Sequence, residues 1–258
     1  TAQELNQLRL VYQPIYKLAD LSLLGVEALL RWDHPIRGLV QPDDFIPMLE
    51  QTGQIREVGR WVLRHACLQL AAWRARGDTI ELSVNVSGRQ LDSDDIIDHI
   101  REALDASGLD GRCLIIEVTE TALMRNAAAT ATRLHAIRAL GVRIAVDDFG
   151  TGYSSLGYLQ QFPVDCLKID RMFTSGVDSS PESRALIDTV VKLGHDLGLK
   201  TLAEGVETTE QLDRLRNAQV DEAQGFLLAR PLDAESLETQ ILAPARPSPL
   251  ALDDRHVR

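Results

Sequence analysis

Two hydrophobic periods alternate along the chain. Short apolar runs rich in β-branched residues occur at Leu10–Ile15, Leu23–Leu29, Ile80–Val86, Cys113–Val118, Arg143–Val146, Cys166–Ile169, Thr201–Ala203 and Glu222–Phe226, and they read as eight strands. Between them, apolar residues recur at helical spacing over Pro42–Gln51, Glu57–Arg76, Asp94–Ala106, Ala127–Leu140, Pro181–Leu197, Thr209–Ala218 and Ala234–Ile241. Punctuation agrees with this reading. Ser180 before Pro181, with Glu182 and Glu210 in first turns, marks helix starts, and Gly77, Gly108, Gly141 and Gly198 mark stops.

Strands alternating with helices predict a parallel sheet wrapped by helices, here a (β/α)8 TIM-like barrel. The first two strands are separated only by Tyr16–Ser22, too short for a crossover helix, so the first hairpin should supply one antiparallel strand. The expected domain is a barrel over residues 1–243, followed by a tail over 244–258 containing Pro244, Pro247 and Pro249.

Composition narrows the class. With 258 residues, 45% of them hydrophobic and 25% charged, the chain can bury a core without disulfides or structural metal. Its net charge of 27 − 38 = −11 argues against a broad basic footprint for duplex nucleic acid or an anionic membrane. Cys67, Cys113 and Cys166 form no CxxC pair, which suits a reducing compartment. There is no apolar run of about 18 residues and no signal-peptide pattern at the start, so the expectation is a cytoplasmic domain without direct membrane insertion. It could stand alone or belong to a longer, membrane-anchored protein. Residue 1 is Thr, which fits either excision from a longer chain or N-terminal processing.

The chemistry lies where the apolar runs stop. Their C-terminal ends carry Glu27, Asn85, Glu117, Asp147 with Asp148, Lys168, Glu204 and Gln224. A polar residue closing one strand is ordinarily a turn former or cap. In a barrel, however, all these ends form one face, where active sites sit. Carboxylates gathered there repel by several kcal/mol per pair at about 4 Å and an effective dielectric of about 20, which divalent cations relieve. Oxygen donors without His or Cys favour Mg²⁺ or Mn²⁺ over Zn²⁺, and adjacent Asp147 and Asp148 could bridge two ions suited to phosphate-ester hydrolysis. The six histidines show no ligand spacing. Lys168 is a candidate for work on the attacking water, with the alternative that it only balances Asp170 and the acidic cluster. Arg31 is a candidate phosphate clamp, with a surface ion pair as its alternative. The run Asp148–Leu156 (DFGTGYSSL) reads as a polar, Gly-rich loop; it lacks the companion motifs of a protein kinase or a GxGxxG dinucleotide fold.

With these segments in hand, the chain resembles the EAL family of bacterial cyclic di-GMP (c-di-GMP) phosphodiesterases from Gln13 to about Leu232. The resemblance is carried by YQPIY, VEALLRW, FIPMLEQTG, SVNVSGRQL, EVTET, VDDFGTGYSSL, LKIDRMF, AEGVET and QGF, in that order. It implies a barrel with one antiparallel strand and a two-metal site that hydrolyses c-di-GMP to linear pGpG. Glu27, Asn85, Glu117 and Asp147 would ligate one ion, and Asp147, Asp148 and Glu204 would surround the second. Lys168 would act on water, with Glu27 and Glu204 also in catalytic positions. Gln13 and Arg31 would contact substrate, Glu207 and Gln224 would shape the substrate and water network, and Glu120 would anchor the 148–156 loop. The resemblance also implies a homodimer and fused sensor or cyclase modules in a longer chain. Departures such as Gly88 and Met172, where Ala and Ser are frequent, touch no inferred ligand. Two other readings compete: a catalytically silent c-di-GMP receptor, and, more remotely, an enolase-like barrel using Mg²⁺ and a lysine base.

Overall fold

A computed structural model describes residues 7–151 and 159–242. The predicted tail 244–258 and residues 152–156 of the predicted loop lie outside these ranges. The strands are β1 (Leu8–Lys17), β2 (Leu23–His34), β3 (Gly38–Val40), β4 (Glu81–Asn85), β5 (Leu114–Thr119), β6 (Arg143–Phe149), β7 (Cys166–Ile169), β8 (Lys200–Ala203) and β9 (Glu222–Ala223). Eight of them close a barrel in the order β1-β9-β8-β7-β6-β5-β4-β2, sealed by β1 pairing with β2, while β3 extends β2 outside the ring. β1 runs antiparallel to both its neighbours and the other barrel pairings are parallel. The expected barrel with one antiparallel strand is therefore the observed fold.

The differences lie at element ends. β2 continues to His34 because β3 supplies it with an antiparallel partner through Trp32–Val40, a pairing that three residues of sequence could not signal. The last strand is shorter than its apolar run: pairing stops at Ala223, and Gly225–Ala229 forms a turn. Short helices at Gly88–Leu91, Glu120–Met124 and Arg171–Thr174, each directly after a strand end, were not expected, since four or five residues carry no readable period. Their caps nevertheless show why they form. Ser87 closes a capping box with Gln90, and the Thr119 and Asp170 side chains accept from backbone N–H groups two or three residues on.

Helices cover the outside of the ring. Ile55–Ala75 buries Ile55, Val58, Val62, Leu63, Ala66, Cys67, Leu70 and Trp73, the three- and four-residue spacing its sequence showed. Trp73 packs edge-on against Tyr12 of β1, with ring centroids 4.8 Å apart. Ser180 caps Pro181–Asp196, and Thr208 forms a capping box with Gln211 at Thr209–Asn217. Cys67, Cys113 and Cys166 are all free thiols. Among the described residues no helix is long and apolar enough to cross a membrane.

The barrel interior is layered, and the layers differ in chemistry. In the middle, Gly25, Ser83, Ala145 and Cys166 alternate with Ile15, Ile115 and Leu202, too little volume to fill the ring, and a cavity of about 40 Å³ remains. Gly25 is required there, because a Cβ would lie 2.7 Å from the Glu81 carbonyl oxygen. The floor is charged: Arg143 pairs with Glu81 at 2.6 Å and Lys200 with Asp221 at 3.0 Å.

Glu222 on this floor has its carboxyl pushed up to about 7, by burial first and then by Glu81 and Asp221. The folded state thus holds this proton more tightly than the unfolded chain. The associated stability is present below the ordinary carboxylate value and is lost as pH rises through about 7. Glu222→Gln should therefore raise unfolding free energy at pH ~8 by about 2–3 kcal/mol and change it little below pH ~4. Urea unfolding at the two pH values checks this; equal effects at both would contradict it.

Candidate active site

The C-terminal mouth of the barrel gathers the strand-end residues into one connected network. The register pairs Asn85 with Glu117 directly, while Asn85 lies two residues beyond Glu27's partner Ser83 and Asp147 two beyond Glu117's partner Ala145, so all four share the inner face because residues two apart on a strand do. Asn85 Nδ2 donates to Glu27 Oε1 at 2.6 Å, and Gln224 Nε2 donates to Glu27 Oε2 at 2.7 Å and to Glu204 Oε1 at 3.2 Å. At the centre stands Lys168. Its Nζ contacts Glu117 Oε2 directly and lies 2.6 Å from Glu204 Oε1, 3.2 Å from Asp147 Oδ1 and 3.9 Å from Glu27 Oε2. The lysine is only 1% exposed, so these are desolvated charges.

One ammonium facing four carboxylates leaves a negative excess. Burial works to discharge the Lys168 amine, but Glu117, Glu204, Glu27 and Asp147 outweigh it and hold the ammonium well above the usual lysine range. The carboxyls take the opposite strain. Burial, only partly offset by Lys168, drives Glu117 well above its ordinary value and pushes Glu204 up to about 8. Two carboxylates about 4 Å apart cost about 4 kcal/mol at an effective dielectric of about 20, so the set calls for more positive charge than one lysine gives.

Adjacent Asp147 and Asp148 could not both face the mouth on a regular strand. The β6–β7 register slips between Val146 and Phe149, placing a bulge at the pair. Asp148 there adopts a left-handed backbone with φ 54°, a strained conformation for a non-glycine residue and one common at functional sites. Its carboxyl is pushed up to about 6 by burial, then by the charges of Asp147 and Asp170 and a hydrogen bond with Asp170. Asp170 is a site residue that sequence reasoning treated only as a counter-charge. The signal was its position two residues after Lys168; the structure turns it toward Asp148, and its Oδ1 also caps Met172 N at 2.7 Å.

The remaining predicted residues divide. Glu120 is buried and its Oε2 accepts from Gly150 N at 3.2 Å, at the start of the loop it was expected to anchor. Gln13 stands opposite Glu27 in the β1–β2 register and donates to the Ala229 carbonyl at 3.4 Å. Arg31 lies farther along β2 on the face of Glu27, half-buried. It donates to the neighbouring Leu30 carbonyl at 2.8 Å and makes no salt bridge among the described residues. Glu207 is not drawn into the carboxylate network: it is exposed at the segment leading into Thr209–Asn217, where its backbone N–H donates to Gln211 Oε1 at 2.8 Å.

The donor chemistry fits hard divalent cations: oxygen ligands in negative excess, with neutral amides beside them. Among the described residues no three His, Cys, Asp or Glu side chains alone have metal-holding spacing, and Lys168 Nζ stands between Glu117 and Glu204.

Comparison with known proteins agrees with this geometry. The family model described as "EAL domain" matches residues 1–231. The bifunctional diguanylate cyclase/cyclic di-GMP phosphodiesterase MucR of Pseudomonas aeruginosa is 44% identical over 92% of this chain and 35% of its own length. The cyclic di-GMP phosphodiesterase NbdA of the same organism is 42% identical over 90% of this chain and 30% of its own. The chain thus spans about a third of the length of these relatives. A solved structure described as PaMucR phosphodiesterase in complex with c-di-GMP superposes with a TM-score of 0.88, at 44% identity, covering 92% of this chain and 96% of that one.

Proposed function

Because the chain belongs to the EAL domain family, we propose that it is a metal-dependent phosphodiesterase that opens c-di-GMP to linear pGpG. The observation that carries this reading is the ring of Glu27, Glu117, Asp147 and Glu204 around Lys168 at the barrel mouth, bridged by Asn85 and Gln224. The names of MucR and NbdA support the substrate.

In this reading Glu27, Asn85, Glu117 and Asp147 would hold one Mg²⁺ or Mn²⁺ ion, and Asp147, Asp148 and Glu204 would hold a second. Bound cations supply charge neutralisation at the phosphate and a more acidic water. The protein's own groups do the rest. A water oxygen bonds to phosphorus, one ester P–O bond breaks, and the water proton ends on the departing ribose oxygen. Lys168, which its carboxylate neighbours hold as an ammonium, would orient the water and stabilise charge growing on the phosphate. Arg31 has its guanidinium available for a phosphate of the ring, and Gln13 lines the same side. Glu207 serves from the rim, outside the network. We extend the proposal to the barrel of residues 1–243 as the catalytic unit, to a homodimer, and to fused regulatory modules in the whole protein.

Purified protein with Mg²⁺ or Mn²⁺ should convert c-di-GMP to pGpG, read by chromatography. Tight binding without turnover would replace this function with that of a receptor, and absence of both would remove the substrate.

A further inference from the structure

We propose that Phe226, held by Arg230, forms a stacking platform for one base of the dinucleotide, which makes Phe226 a substrate-positioning residue at the rim of the site; this rests on the dinucleotide reading above. Among the described residues Phe226 is the one Phe, Tyr or Trp that is exposed, at 48%. It stands two positions after Gln224, whose amide bridges Glu27 and Glu204. The Arg230 guanidinium lies over its ring, 4.3 Å from the centroid. Such a contact holds the ring in one orientation, while nearly half of the side chain stays open to solvent.

The turn that carries the pair is fixed to the site on both sides. Leu228 N and Ala229 N donate to the Gly225 carbonyl at 3.1 and 3.0 Å, and Phe226 and Arg230 are four positions apart along this turn. Leu227 N donates to Val206 O at 3.0 Å, tying the turn to the segment after Glu204, and the Ala229 carbonyl accepts from Gln13 Nε2 at 3.4 Å. Gly225 leaves no slack, since a Cβ there would lie 2.2 Å from Val206 N. An exposed aromatic ring two residues beyond Gln224, with a cation on one face, matches a planar heterocycle. Stacking serves any base with a π face, and the guanidinium, on one face of the ring, leaves the other face for the base.

The test is the dissociation constant of c-di-GMP in the presence of Mn²⁺, measured by calorimetry at low temperature on the full chain. Phe226→Ala should weaken binding about 10-fold. Phe226→Tyr should restore it, and Phe226→Leu, apolar but without a π face, should not. Mn²⁺ affinity and melting temperature should match wild type in all three. Unchanged dinucleotide affinity in Phe226→Ala, or full recovery in Phe226→Leu, overturns the platform. Wild type that binds the dinucleotide without hydrolysing it sinks the enzymatic reading alone, and the platform is still decided by the three variants. Wild type that fails to bind sinks both.

Discussion

Lys168→Met should abolish c-di-GMP turnover and leave a protein whose stability depends on added Mg²⁺ or Mn²⁺. Among the described residues the ammonium is the only positive charge in contact with Glu117, Glu204 and Asp147, all at a depth where water screens little. Met keeps most of the volume and removes the charge. Breaking a buried ion cluster from one side costs about 3–5 kcal/mol, because the carboxylates left behind must either repel or take up protons. A divalent cation on the same oxygens offsets that loss, so the melting temperature of the variant should rise with metal by more than that of wild type. Turnover should fall on the order of 10³-fold even at saturating metal, as happens when a preorganised donor to transition-state charge is lost. Thermal melts with and without Mn²⁺, paired with chromatography, read both effects. A stability loss that metal does not change, or turnover within about tenfold of wild type, would place Lys168 outside the chemistry.

Glu27→Ala should show the reverse pattern: activity lost because metal is lost, with Lys168 still paired. Glu27 is the hub that accepts from both Asn85 and Gln224, while its own distance to Lys168 Nζ is 3.9 Å, the longest of the four. Removing a group that merely supports a metal ligand costs about 10–100-fold in affinity, and removing a ligand should cost at least that. Gln224 keeps its bond to Glu204 and Asn85 is exposed to water, so loss of their bonds to Glu27 should cost little stability beside the loss of metal. Mn²⁺ titration calorimetry separates the two variants: Lys168→Met binds metal without turning over, and Glu27→Ala does neither. Wild-type metal affinity in Glu27→Ala would refute its assignment as a ligand.

Much of the molecule was legible from the chain alone. The alternation of short apolar runs with helical spacing specified eight barrel strands, and the seven-residue gap at Tyr16–Ser22 specified the antiparallel one. The polar residue at each strand end could also be named, since strand direction and a two-residue period decide which side chain reaches the mouth. What escaped was local and short. β3, the single-turn helices after three strands and the early end of β9 involve too few residues for a period to show.

Other features belong to tertiary structure alone. The sequence offered Lys168 as either a balance for Asp170 or a participant in the acidic site, and only closure of the barrel placed its Nζ against Glu117, Glu204 and Asp147. Likewise, Asp147 and Asp148 were adjacent letters until the bulge on β6 turned the second one toward Asp170. The sequence by itself determined the periods, the chemical kinds and the strand ends, because these depend on a residue and its near neighbours. The contact of Gln224 with Glu27, 197 positions away, and the charge balance around one buried lysine were decided by the closed ring, because electrostatics in a desolvated pocket depends on distance in space rather than along the chain.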